Sequence, residues 1–288
     1  MTESMTEPMG FLWQKGVLME LIVHRWSMRA KLDKKDVDIP DDVRIPDIVN
    51  LGNKRLMPKS VEAKFINHEM GARNYLRNNS FVFPIGRNNF VPFKSLVKTL
   101  GKLSECQTAW NTVKNTFFDD ETDGYEYHKQ AMLKKYPILT PQMYPDKNYL
   151  RDQCNFTIAM FNLNLPESFA KSEAAEKIHQ QMDVFLTDVV GLLRQKTIDI
   201  CQKIQERIET GKFDMRHVQS LTQWINKFKG LNFMEDTEVE EALNALREEL
   251  PKNRDDLEVL DLTGFQKSIN KVIHMAETEP TKVRKMLI

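Results

Sequence analysis

His68 and Glu69 begin the pattern of a zinc-binding helix, in which a second histidine four residues after the first completes a ligand pair on one helical face. That position is Ala72, so the pair is missing and His68 reads as a helix-surface histidine. Asp119, Glu121 and Asp123 occupy the first, third and fifth positions of a calcium-type loop, with Gly124 at the sharp turn. Position twelve is Gln130, which cannot supply the bidentate carboxylate that sets affinity. The stretch therefore reads as an acidic helix cap and turn. Gly101-Lys102 is followed by Leu103 where a phosphate loop needs a magnesium-binding hydroxyl, and no G-x-G-x-x-G occurs. The remaining histidines (24, 128, 179, 217 and 274) stand singly, no C-x-x-C pair exists, and no serine sits in a nucleophile elbow. The expectation is a protein that is not an enzyme and uses no metal or cofactor.

A different chemistry is suggested by FVFPIGRNNFVPFKSL, residues 81 to 96. Phe81, Phe83 and Phe90 lie near Arg87, Lys94, Lys98 and Lys102. Cations for phosphates and rings for bases are the composition of a single-strand nucleic-acid surface. Alternating aromatics in extended segments equally point into a core and stabilise it by burial. The whole chain has 41 basic and 41 acidic residues, which gives no overall field to attract a polyanion. The charge is nevertheless polarised. Residues 52 to 102 hold ten Lys/Arg against Glu62 and Glu69, and residues 231 to 261 hold eleven acids against Arg247, Lys252 and Arg254. Pairing of these two segments, within one molecule or between two, is expected.

The elements that must carry these residues can be read from periodicity. Residues 1 to 16 are expected to be disordered. Residues 17 to 29 read as a strand, with 155 to 165 as its best partner, and the proline-rich 37 to 58 as an irregular linker. A helix starts after Pro58, and another runs from Leu96 to Phe117. The longest helix is expected between Pro166 and Gly211, where proline suits the first turn and glycine the residue just past the end. Its stripe includes Phe185, Val189, Leu193, Ile200, Ile204 and Ile208, candidates for an oligomer or partner interface. Around its middle Val184, Phe185, Leu186, Val189, Val190, Leu192 and Leu193 cover more than one face. That part must be enclosed on several sides, by other helices or another subunit. Further helices are expected at 214 to 229, 236 to 249 and 255 to 276. The fold class is α+β, mostly α, with a small antiparallel sheet. An N-terminal α+β region spans 17–165, and a helical region 166–288.

At 288 residues, 41% hydrophobic and 28% charged, the composition is that of a soluble globular protein. Three well-separated cysteines argue for a reducing compartment, and no secretory or spanning segment is visible. Cytoplasm is the expected location.

The segments WSMRAKLDKKDV (26 to 37), LGNKRLMP (51 to 58), FVFPIGRNNFVP (81 to 92) and LTQWINKFKGLNFMED (221 to 236) together resemble a bacterial and phage family of unknown function. None of these motifs is a catalytic signature. The resemblance implies genes that often lie near a MoxR-type AAA+ ATPase and a von Willebrand factor A protein, hence a non-catalytic component of such a system. The resulting expectation is a scaffold or adaptor that assembles with itself or with the ATPase. The other reading is a single-strand nucleic-acid-binding protein using residues 52–102.

Overall fold

A computed structural model describes residues 8–40, 42–46, 49–86, 88–163 and 172–278. The fold is α+β and mostly helical. Along the chain the elements are α1 (Pro8–Lys15), β1 (Gly16–His24), β2 (Arg29–Lys31), β3 (Asn53–Arg55), α2 (Lys59–Asn78), β4 (Phe81–Val82), β5 (Asn89–Pro92) and α3 (Phe93–Asp119). They continue with α4 (Tyr125–Lys135), α5 (Lys147–Gln153), β6 (Asn155–Phe161), α6 (Glu173–Glu209), α7 (Met215–Leu231), α8 (Thr237–Glu248), α9 (Arg254–Glu258) and α10 (Leu262–Glu277). One sheet has the order β4-β5-β1-β6, and β2 and β3 form a two-stranded ribbon.

Contacts divide the chain into two compact units. Unit 1 comprises 1–20, 77–99 and 160–288; unit 2 comprises 21–76 and 100–159. A cut at residue 165 does not describe this division, because β1, α2, α3 and β6 each run from one unit into the other. Unit 1 is built on α6, which packs against α1, α7 and α10. Its core gathers Leu12, Leu18 and the hairpin phenylalanines with Met182, Leu186, Trp224, Phe233 and Phe265. Unit 2 is cored by edge-to-face rings, with Phe65 against Trp110 and Phe117 at 5.7 and 5.5 Å, a geometry that adds to the burial of each ring.

Several expectations meet a specific local cause. Residues 8 to 15, expected to be disordered, form α1, whose Leu12 is completely buried in unit 1; tertiary contact orders a segment whose own pattern is too short to signal it. The linker 37 to 58 contains β3, which pairs Asn53–Arg55 with Arg29–Lys31. Gly52 at φ +87° makes the turn into it, and buried Lys54 donates to Asp36 at 2.5 Å. The helix expected at 255 to 276 is two helices, since Asn253 caps α9 and Asp261 caps α10 through side-chain acceptors. α6 ends as its glycine signals: Gly211 takes φ +65°, and Lys212 N–H returns to the Arg207 carbonyl at 2.8 Å. The expected start at Asn164-Leu165-Pro166 lies outside the described residues.

Candidate functional site

The hairpin phenylalanines show first where a site is not. Phe81, Phe83 and Phe90 are buried in unit 1, with Phe90 against Phe233 at 4.8 Å and Phe83 against Phe185 at 5.4 Å. Strand alternation explains it: Phe81 pairs across from Phe90, and both point to the same inner face. Their rings offer no face on which a base could stack. Lys94 donates to the backbone carbonyl of Asn232 at 2.9 Å, and Lys102 is paired with Glu105 at 2.7 Å. Lys98 is exposed, and Arg87 lies outside the described residues. The exposed aromatic of this segment is Phe93, with Val97 one turn on.

The expected interface stripe is likewise internal. Phe185, Val189, Leu193, Ile204 and Ile208 are buried in unit 1, and Ile200 is half-buried against the same core. The reason is that the hairpin rings Phe83 and Phe90 lie against Phe185, and α1, α7 and α10 pack on α6.

What remains uncovered is the second apolar face of α6. Val184 is 60% exposed and Leu192 50%, two turns apart on one side of the helix. They line a groove of about 470 Å³ with the rim of the hairpin. Its floor is Phe81, Phe185 and Val189, and its other wall is Val82 and Pro84. β4 is an edge strand, and Val82 points outward from it, 69% exposed. Charged groups stand around the rim: Arg77 at the end of α2, Lys196 on α6, and Asp188 between the two apolar residues of α6. None of the three is in an ion pair among the described residues. Burial, with the like charge of Lys196 added to it, holds the ammonium of Lys227 on α7 below the usual lysine range.

The wall of this groove is held by a buried polar hub. Arg194 of α6 makes a bidentate pair with Asp236 at 2.6 and 2.9 Å, with both side chains almost fully enclosed. Its remaining donors reach the carbonyls of Met275 and Thr278 and the carboxylate of Glu238. Asn232, fully buried, accepts from Asp236 N–H at 2.8 Å and donates to the Asp236 carbonyl and to Glu240. The start of α8 and the end of α10 are thereby tied to the middle of α6. The partners saturate one another, which makes this a structural joint.

Groups that could do chemistry elsewhere are similarly committed to local partners. In the 119–124 loop Arg151 holds Asp119 with two bonds, at 2.5 and 2.9 Å, Lys64 holds Asp123, and Asp120 accepts from Thr122 and Asp123. These donors hold the Asp120 and Asp123 carboxyls below the usual range. The carboxylates do not converge. Among the described residues no group of three or more His, Cys, Asp or Glu is placed to hold a metal. In unit 2 a recess of about 530 Å³ holds His24, Arg25, Trp26, Glu69 and Tyr149. There Glu69 is occupied on both oxygens by Arg25 and Arg73. Burial pushes the Cys201 thiol up to about 12, the opposite of an activated cysteine.

Fold and site together define a class: a mostly helical α+β protein whose open feature is an apolar groove on a long helix. A family model described as a protein of unknown function (DUF3150) matches residues 14–259, and the chain belongs to that family. No curated protein and no solved structure matches it. Among the described residues no helix is long and apolar enough to cross a membrane.

Proposed function

We propose that this chain is a non-enzymatic scaffold or adaptor that works in the cytoplasm by protein–protein assembly, through the groove on α6. The observation that carries the reading is the pairing of Val184 and Leu192 with the outward Val82 of an edge strand. Apolar side chains at such exposure around one concavity are unfavourable in water and become favourable once covered. The family resemblance extends the reading to a MoxR-type AAA+ ATPase, which would supply the ATP hydrolysis for which this sequence has no phosphate loop. The nucleic-acid reading has less support, because its rings are enclosed and most cations of residues 52–102 have local partners.

The test uses size exclusion with light scattering, on the chain alone and mixed with the ATPase. Wild type is expected in a larger species in at least one of the two. Val184→Glu and Leu192→Glu should keep the circular dichroism spectrum and elute as monomers. A wild type that is monomeric in both experiments, or charged variants that assemble as wild type does, would overturn the reading.

A further inference from the structure

The groove asks for a partner that is apolar at its centre and acidic at its edge. Among its lining residues the cations are Arg77 and Lys196, and the single carboxylate is Asp188. The same chain carries a surface of that complementary kind. Between α9 and α10, Val259 is 84% exposed and Leu262 41%. Asp255, Asp256, Glu258 and Asp261 flank them in the sequence, with Arg254 and Arg216 as cations lining a recess beside Glu258. None of these four carboxylates is in an ion pair among the described residues. The ridge and the groove both belong to unit 1.

They cannot meet within one molecule. Gln205 of α6 bonds to Asn270 of α10 at 2.6 Å, and Arg194 bonds to the carbonyl of Met275, so α10 runs antiparallel to α6. Its first residue, Leu262, therefore lies beyond the level of Gln205. From Val184 to Gln205 is 21 residues, or about 30 Å along the helix.

We propose that the groove is filled by the Asp255–Leu262 ridge of a second copy of this chain, with Val259 and Leu262 on Val184 and Leu192 and the carboxylates toward Arg77 and Lys196. The inference rests on the groove being a docking surface and names its occupant. Two different surfaces meet, so the contact is head-to-tail. Each copy keeps one free groove and one free ridge, and repetition gives a ring or a filament. Apolar burial supplies the affinity, and the charges set orientation and salt dependence.

The experiment is complementation between two defective full-length chains, Val184→Glu in the groove and Val259→Lys on the ridge, followed by sedimentation velocity. Both sites are exposed, so both variants should fold. Wild type should grow in mass with concentration, and less so as salt rises. Each variant alone should associate at least about tenfold more weakly, the loss of one interface anchor. Mixed in equal amounts, they should form a dimer, because one keeps an intact groove and the other an intact ridge. If Val184→Glu abolishes association and Val259→Lys does not, the groove stands and the ridge is refuted as its occupant. If both variants associate like wild type, groove and ridge fall together. A mixture that stays monomeric, or a wild type that never associates, refutes the head-to-tail contact.

Discussion

Replacing Arg194 with methionine tests the account of how α6 is held. The side chain keeps its length and loses its charge, leaving the Asp236 carboxylate, 3% exposed, without the cation that now meets both its oxygens. It also leaves the carbonyls of Met275 and Thr278 without their guanidinium donor. Removing one partner of an enclosed ion pair costs about 3–5 kcal/mol, because the remaining charge stays desolvated. Asp236→Asn should cost less, about 1–3 kcal/mol. Asparagine still presents an oxygen to cap α8, and Arg194 still has Glu238 at 3.3 Å and the two carbonyls. The double variant should be more stable than the sum of the single effects, with a coupling of about 0.5–3 kcal/mol. Urea denaturation of the four proteins, with the slope checked for constancy, measures this. An Arg194→Met cost under about 1 kcal/mol, or single effects that add within about 0.5 kcal/mol, would refute the joint.

Three further outcomes are expected. Gly16→Ala should destabilise by about 1–3 kcal/mol in the same assay, since a Cβ there would overlap the Phe90 ring and stand 2.6 Å from the Val91 carbonyl; a neutral change would contradict the register of β1 on β5. The Asp214 carboxyl, held down to about 2 by its bonds to Arg216, should titrate near that value by NMR and move up toward the usual carboxylate range in Arg216→Ala. Its folded value lies below the unfolded one, so its stabilising effect is present above the ordinary carboxylate range and is lost as pH falls toward 2. Iodoacetamide at pH 8 should modify half-exposed Cys106 in the native protein and reach Cys154 and Cys201 only on unfolding, because both are buried and burial raises both thiols; native labelling of Cys201 would contradict the core of unit 1.

Local chemistry determined much of this protein without reference to the fold. The lengths of α2, α7 and α8 and the end of α6 follow from apolar spacing and from residues such as Asp214, Asp236 and Gly211, whose bonds are made within a few positions of the chain. The ligand missing from each metal-like motif, Ala72 in one and Gln130 in the other, was equally readable, being a matter of residue type at a fixed spacing. The apolar surplus around Val184–Leu193 announced that α6 presents more than one apolar face.

Which side is covered by the chain itself was decided only in three dimensions. The hairpin, α7 and α10 are brought onto α6 by turns tens of residues away, and nothing in the helix pattern distinguishes the Phe185–Val189–Leu193 face from the one bearing Val184 and Leu192. The same holds for Phe81, Phe83 and Phe90, whose spacing suits a stacking platform as well as a core until Phe233 and Phe185 arrive against them. Lys94 reads as a free cation until the Asn232 carbonyl, 138 residues later, takes it. Periodicity fixes what an element presents, because its bonds are local; burial depends on which distant surfaces arrive, because the hydrophobic effect has no direction along the chain.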